Sequence, residues 1–189
     1  GREHELSEVA ALLRDHRLVT LVGAGGCGKT RLALEAARRQ RVLFRDGVWW
    51  SDMASLTDEQ LVADTVATSV GVRADGARPL QQRLIEFLTT RSMLLVIDNC
   101  EHLLTACATV VTEGLHSCAG VSVLATSRTP LAIEGECVLD LPGLALPPPD
   151  ASPELILTAD AVKLYVSRAG LVEPRLVPSD ESVRFIGEI

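Results

Sequence analysis

Residues 23–30 read Gly-Ala-Gly-Gly-Cys-Gly-Lys-Thr, an instance of G-x-x-x-x-G-K-[ST], and no other stretch restricts the fold as strongly. The motif follows a β-favouring run at 18–22 and opens a helical pattern at 29–40. The glycines let the backbone wrap so that its N–H groups face a phosphate chain, and the start of the helix adds positive potential at the same point. Gly23, Ala24, Gly25, Gly26, Cys27, Gly28, Lys29, Thr30 and Arg31 are therefore the candidate nucleotide-binding residues. Lys29 suits the β and γ phosphates, and the Thr30 hydroxyl suits Mg²⁺. Lysine occurs only at 29 and 163, all other basic residues being arginine. One of two lysines at the required position favours a phosphate cradle over an ordinary glycine-rich turn.

Apolar spacing along the rest of the chain predicts helices over 3–14, 57–70, 80–90 and 101–118, with Thr57 and Gln60 forming a capping box. Strands are expected at 18–22, 47–53, 93–97, 121–126 and 137–141, with a loop at 71–79. The unbroken apolar run 93–97 reads as a central parallel strand covered on both faces. Adjacent Trp49 and Trp50 would face opposite sides of the sheet, as packing residues. Strands alternating with helices mean an α/β fold with a mostly parallel five-stranded sheet flanked by helices. Residues 142–153 hold five of the nine prolines and read as a linker. Helical patterns at 158–169 and 179–189 then look like the start of a helical lid or second domain. The expected division is a core at 1–141, the linker, and a truncated helical segment at 154–189, cut from a longer protein.

A phosphate cradle needs a second magnesium contact, usually a carboxylate ending a buried strand beside the strand of the glycine-rich loop. Leu94-Leu95-Val96-Ile97-Asp98 supplies Asp98. The lag of about 70 residues between the motifs implies another strand between them in sequence, the arrangement of additional-strand P-loop ATPases rather than small kinases. An acid often follows the magnesium aspartate to orient water, but here that place holds Asn99, the sole asparagine. An amide cannot act as a general base, so Glu101 is the nearest candidate; a helix-start carboxylate is its alternative reading. His102 and His116 read as polar helix-face residues. Thr126-Ser127-Arg128 ends the next strand at the edge where open α/β sheets bind ligands, so Arg128 is a candidate γ-phosphate contact. With Asn99 the only asparagine, the N-K-x-D guanine reader is absent and adenine is favoured.

The net charge of −7 gives no electrostatic footprint for DNA, so duplex contact would fall to other segments. The longest apolar runs fall far short of the roughly 20 residues of a membrane span. Five cysteines without a C-x-x-C pair indicate neither a zinc knuckle nor a disulfide framework, which makes the cytoplasm the expected compartment.

Several segments occur together in order: Gly1-Arg2-Glu3 with Glu5-Leu6, LVTLVGAGGCGKTRLALE, DGVWW, LLVIDNCEHLL and VLATSRTPLAIEGE. This string closely resembles the nucleotide-binding (NB-ARC-like) domain of STAND-type ATPases, more narrowly that of large actinobacterial transcriptional regulators of the LuxR and SARP kinds. The resemblance covers nearly the whole chain. It implies an AAA+/STAND-type P-loop fold, places Arg2 near the adenine, and matches Asp98 and Arg128 to the Walker B and sensor-1 positions. It also implies that nucleotide exchange switches a multidomain protein between closed, ADP-bound and open, ATP-bound states, while the lack of an acid beside Asp98 makes any hydrolysis slow. Sensor repeats and a DNA-binding domain are the implied partners, and nucleotide-dependent oligomerisation is left open. Family members continue with a Gly-Leu-Pro-Leu motif and a later histidine, which these 189 residues do not include. The expected function is an adenine-nucleotide-binding switch domain; a small-molecule P-loop kinase and a hydrolysis-deficient nucleotide-binding scaffold are the alternatives.

Overall fold

Apolar runs too short for a helix but continuous enough to be covered on two sides become the strands of one sheet. The computed structural model, which describes residues 2–74, 78–173, 179, 182, 183, 185 and 186, contains β1 (Leu18–Val22), β2 (Val48–Asp52), β3 (Met93–Asp98), β4 (Val121–Ser127) and β5 (Glu136–Asp140). Their order is β2-β3-β4-β1-β5, and all neighbouring pairs are parallel. Every residue of β3 and β4 is buried, whereas the edge strands β2 and β5 are only partly covered. The P-loop fold expected from the sequence is therefore realised with one correction. The strand carrying Asp98 does not lie beside β1, because β4 sits between them. Apolar content marks β3 and β4 as interior strands but carries no information on which of them borders β1.

Helices α1 (Glu3–Asp15) and α2 (Lys29–Gln40) cover one face, packing with Val19, Leu21, Leu94, Val96 and Leu124. The opposite face carries α3 (Val62–Ser69), α4 (Leu80–Thr89) and α5 (Leu104–Ser117) over Met93, Leu95, Ile97, Val121 and Val123. Trp49 joins the second cluster and Trp50 the first, as their adjacency on a strand requires. Burying each such aliphatic side chain contributes roughly 1.5–3 kcal/mol, and a one-residue slip of β3 would exchange its two faces. Register at the ends of these strands, where the polar residues lie, is thereby fixed from within the core.

Three local expectations change. Asp58, not Thr57, provides the cap: its carboxylate accepts from the Gln60 N–H, a 3₁₀ turn follows at Glu59–Leu61, and α3 begins only at Val62. The helix expected over 101–118 is split, because Leu103 leaves helical geometry (φ −132°, ψ 33°) to bury its side chain between a 3₁₀ turn at Cys100–His102 and α5. Pro153 belongs to a helix rather than to the linker. It opens α6 (Pro153–Ile156) behind the Ser152 cap, where a missing N–H and a fixed φ are no handicap.

The chain divides into a sheet unit, Arg2–Pro142, and a helical unit made largely of Gly143–Ile189. In the latter, α6 and α7 (Asp160–Val172) bury Ile156 and Val162 together with Val183. Most of the helix expected at 179–189, and part of the loop at 71–79, lies outside the described residues. Among the described residues no helix is long and apolar enough to cross a membrane.

Candidate nucleotide-binding site

The glycine-rich loop leaves β1 and enters α2 through two glycines in the left-handed region, Gly26 at φ 80° and Gly28 at φ 98°. Side chains with a Cβ rarely adopt such angles. Gly23 is constrained by space instead: a Cβ there would lie 2.5 Å from the Leu141 carbonyl oxygen. Lys29 is buried, and its Nζ donates to the carbonyls of Gly23 at 2.9 Å and Ala24 at 3.0 Å. The ammonium is thus held against the loop's own backbone at the mouth of the cradle. Arg31, in the first turn of α2, is exposed.

Asp98, 1% exposed at the end of β3, gathers three donors. Thr30 Oγ1 donates to its Oδ1 at 3.0 Å, Thr126 Oγ1 donates to the same oxygen at 2.5 Å, and Asn99 Nδ2 donates to Oδ2 at 3.0 Å. Residues 30 and 98 therefore meet across β4, whose Thr126 stands opposite Leu21 in register. A hydroxyl and a carboxylate oxygen at this separation are hard donors suited to Mg²⁺, which keeps several waters and takes few protein ligands. Thr30 and Asp98 are the residues that would hold it. Among the described residues no group of three or more His, Cys, Asp or Glu could hold a metal ion.

Arg128 follows β4 and reaches two elements. Its Nε lies 3.3 Å from Glu101 Oε1, and a Cβ built on Gly25 would be 3.5 Å from its Nη2. Glu101 and Arg128 thus stand together beside the loop, lining a cleft of about 570 Å³ with Ala54, Asn99, His102 and Thr129. Glu101 Oε2 is buried without a hydrogen-bond partner. An unsatisfied carboxylate oxygen costs free energy, and it marks this cleft as a place where a polar ligand or water gains a contact. His102 is exposed, with Nε2 2.8 Å from the Leu56 carbonyl.

Arg2 joins the amino-terminal segment to the loop. Its Nη2 donates to the carbonyls of Cys27 at 3.2 Å and Pro142 at 2.7 Å, and its Nη1 donates to Glu5. Against burial, which would raise it, the Arg2 hydrogen bond holds the Glu5 carboxyl below its ordinary value. The thiol of Cys107, burial and the carboxylates of Asp98 and Glu101 push the Cys100 thiol up, so it is a neutral core group rather than a nucleophile.

Two site residues escaped the sequence reading in part or whole. Sequence pattern marks Thr126 only as a sheet-edge residue, whereas its hydroxyl bridges Asp98 and the Asn99 N–H. Asp52 belongs to no sequence motif, yet its Oδ1 accepts from Asn99 Nδ2 at 2.9 Å. Its position at the end of a strand, like that of Asp98, is the signal that could have found it.

Residues 13–133 match the family described as AAA domain. The chain belongs to this AAA domain family. The chain is 40% identical over 179 residues to a Mycobacterium tuberculosis (strain ATCC 25618 / H37Rv) protein named "Putative HTH-type transcriptional regulator", covering 95% of this chain and 19% of the relative. It is 34% identical over 189 residues to a second protein of that strain with an uncharacterized function, covering 100% and 45% respectively. The chain thus spans less than half the length of either relative. Among solved structures it resembles the Signal Transduction ATPase with Numerous Domains (STAND) protein with a tetratricopeptide repeat sensor from Pyrococcus horikoshii. The TM-score is 0.56 at 20% identity, covering 100% of this chain and 27% of that one. It also resembles Cdc6p from Pyrobaculum aerophilum, with TM-score 0.57 and 14% identity over 90% and 49% of the two chains. These likenesses establish the P-loop NTPase fold of AAA+ type.

Proposed function

We propose that this AAA domain is the adenine-nucleotide switch of a multidomain transcriptional regulator, of the NB-ARC-like, STAND type found in LuxR and SARP regulators. In this reading it binds ADP and ATP with Mg²⁺ and hydrolyses ATP slowly. The observation that carries it is the convergence of Lys29, Thr30, Asp98, Glu101 and Arg128, from three separate segments, at one edge of the sheet. The name of the 40%-identical relative supports placing the switch in a gene regulator. Sensor repeats and a DNA-binding domain would then be the parts it acts upon.

The residues divide the work by their chemistry. Lys29 and the loop N–H groups neutralise phosphate charge, while Thr30 and Asp98 hold Mg²⁺, which would polarise the phosphoryl oxygens. Arg128 can fork onto a terminal phosphate, at the expense of its 3.3 Å pair with Glu101. Glu101 supplies the carboxylate beside the reacting water. Placement of β4 between β1 and β3 weighs against the small-molecule kinase alternative.

Isothermal titration calorimetry with ADP and ATP in the presence of Mg²⁺ tests this. Lys29→Ala should lose most of the affinity, because phosphate charge is left beside an uncompensated cradle. Equal binding by the two proteins would refute the phosphate-binding assignment.

A further inference from the structure

The chain's single asparagine stands directly after the aspartate proposed to hold Mg²⁺. Its side-chain amide donates to Asp52 Oδ1 at 2.9 Å and to Asp98 Oδ2 at 3.0 Å. Ionised carboxylates only accept, so the NH₂ end must face them and the orientation of the amide is dictated by its partners. With its two hydrogens engaged, the one function the side chain still offers is the carbonyl Oδ1. Asn99 lines the cleft that also holds Glu101 and Arg128.

Asp52 is itself fixed. Its Oδ1 also accepts from the Ala54 N–H at 2.8 Å, and Asp52 pairs in register with Asp98 across β2 and β3. The Asn99 backbone is held as well, at φ 63° with its N–H on Thr126 Oγ1 at 3.0 Å. Asparagine tolerates this left-handed geometry, but glycine would satisfy it equally without an amide. A turn requirement alone therefore does not account for a side chain tied to two carboxylates.

We infer that Asn99 orients the attacking water through its Oδ1, and that Asp52 is the positioning residue that locks the amide in that orientation. This rests on the ATP-hydrolysing reading given above. The water oxygen bonds to the γ-phosphorus as the bond to the β-phosphate bridging oxygen breaks, and that electron pair leaves with ADP. Asn99 accepts a hydrogen bond and no proton. The proton passes to the Glu101 carboxylate and from there to the released phosphate. The contribution of the amide is orientation, for which a small misplacement costs on the order of 10²-fold.

Because Asn99 is the sole asparagine, the 189-residue chain labelled with [¹⁵N]asparagine gives one side-chain NH₂ pair in an NMR spectrum. That pair should be displaced from the position of free asparagine and slow to exchange, and in Asp52→Ala it should collapse toward the free position. In single-turnover hydrolysis, Asn99→Gly and Asp52→Ala should each fall about 10²-fold. ADP affinity should be retained in both, and Asp52→Asn, which keeps an acceptor oxygen, should recover part of the loss. Asn99→Asp should not exceed wild type, since it sets a third carboxylate against two others. An NH₂ pair that Asp52→Ala leaves unmoved overturns the inference, as does Asn99→Gly at the wild-type rate or a faster Asn99→Asp. Wild-type protein that binds ATP without hydrolysing it overturns the role of Asn99 alone. Failure to bind adenine nucleotide at all overturns the switch reading and the water-orienting role with it, while the labelled pair still reports whether Asp52 holds the amide.

Discussion

Thr126→Val removes a hydroxyl without changing the volume of a fully buried side chain, so its effect isolates the polar network around Asp98. Thr126 Oγ1 donates to Asp98 Oδ1 and accepts from the Asn99 N–H, and the residue is 0% exposed. A hydrogen bond to an ionised carboxylate is worth roughly 1.5–3 kcal/mol, and an orphaned buried N–H costs about 1–3 kcal/mol. The two losses share the same pocket and do not add fully, so the expected destabilisation is about 2–4 kcal/mol. For a chain of this size each kcal/mol lowers Tm by roughly 2–4 °C, which puts the shift at about 5–15 °C. Trp49 and Trp50 are the only tryptophans, both on β2, so urea unfolding followed by tryptophan fluorescence reports on the sheet unit alone. Thr126→Ser should restore most of the stability. A loss below about 0.5 kcal/mol, the range of an ordinary surface substitution, would show that Thr126 does not hold Asp98 in solution.

At the opposite ends of the strands, a Cβ at position 120 would lie 2.3 Å from the Arg91 carbonyl oxygen, so Gly120→Ala should destabilise by roughly 1–3 kcal/mol. Denaturant unfolding should register this loss with nucleotide affinity unchanged, because the clash is remote from the loop. The Ser92 N–H and the Arg91 guanidinium hold the Asp46 carboxyl below its ordinary value against the opposing effect of burial. A depressed folded value means stabilisation present above the unfolded value of about 3.9 and lost as pH falls through the folded one. The Tm gap between wild type and Asp46→Asn should therefore be constant near neutrality and close below about pH 4. Arg128→Ala should weaken ATP more than ADP, since only ATP offers a γ-phosphate, and Glu101→Gln should slow single-turnover hydrolysis while keeping ATP affinity. Calorimetry and a phosphate-release assay check the pair: equal loss of both nucleotides refutes γ-phosphate contact by Arg128, and an unchanged rate leaves Glu101 as a helix-start carboxylate.

The contrast between Thr30 and Thr126 shows which parts of such a site are legible in sequence. Thr30 is marked by its place in a local pattern, because a loop that wraps a phosphate must keep glycine, lysine and hydroxyl at fixed offsets within one short segment. Strand positions were legible for a related reason: burial on one or two faces imposes a local periodicity, and β1 and α2 fall where the spacing puts them. Thr126, Asp52 and Asn99 belong together only through cross-strand register, as Asp52 opposite Asp98 and Leu21 opposite Thr126. Register is set by core packing across strands far apart in the chain, and no local spacing encodes it. The insertion of β4 between β1 and β3 is hidden on the same ground, since nothing local in 93–97 or 121–126, both buried throughout, says which of them borders β1. Helix boundaries at Asp58 and Leu103 were decided by competing single contacts, a cap on the Gln60 N–H and a side chain drawn into the core. The chemistry of the cradle is thus written in neighbouring residues. The polar groups that orient Asp98 come together only where the sheet brings their strand ends side by side.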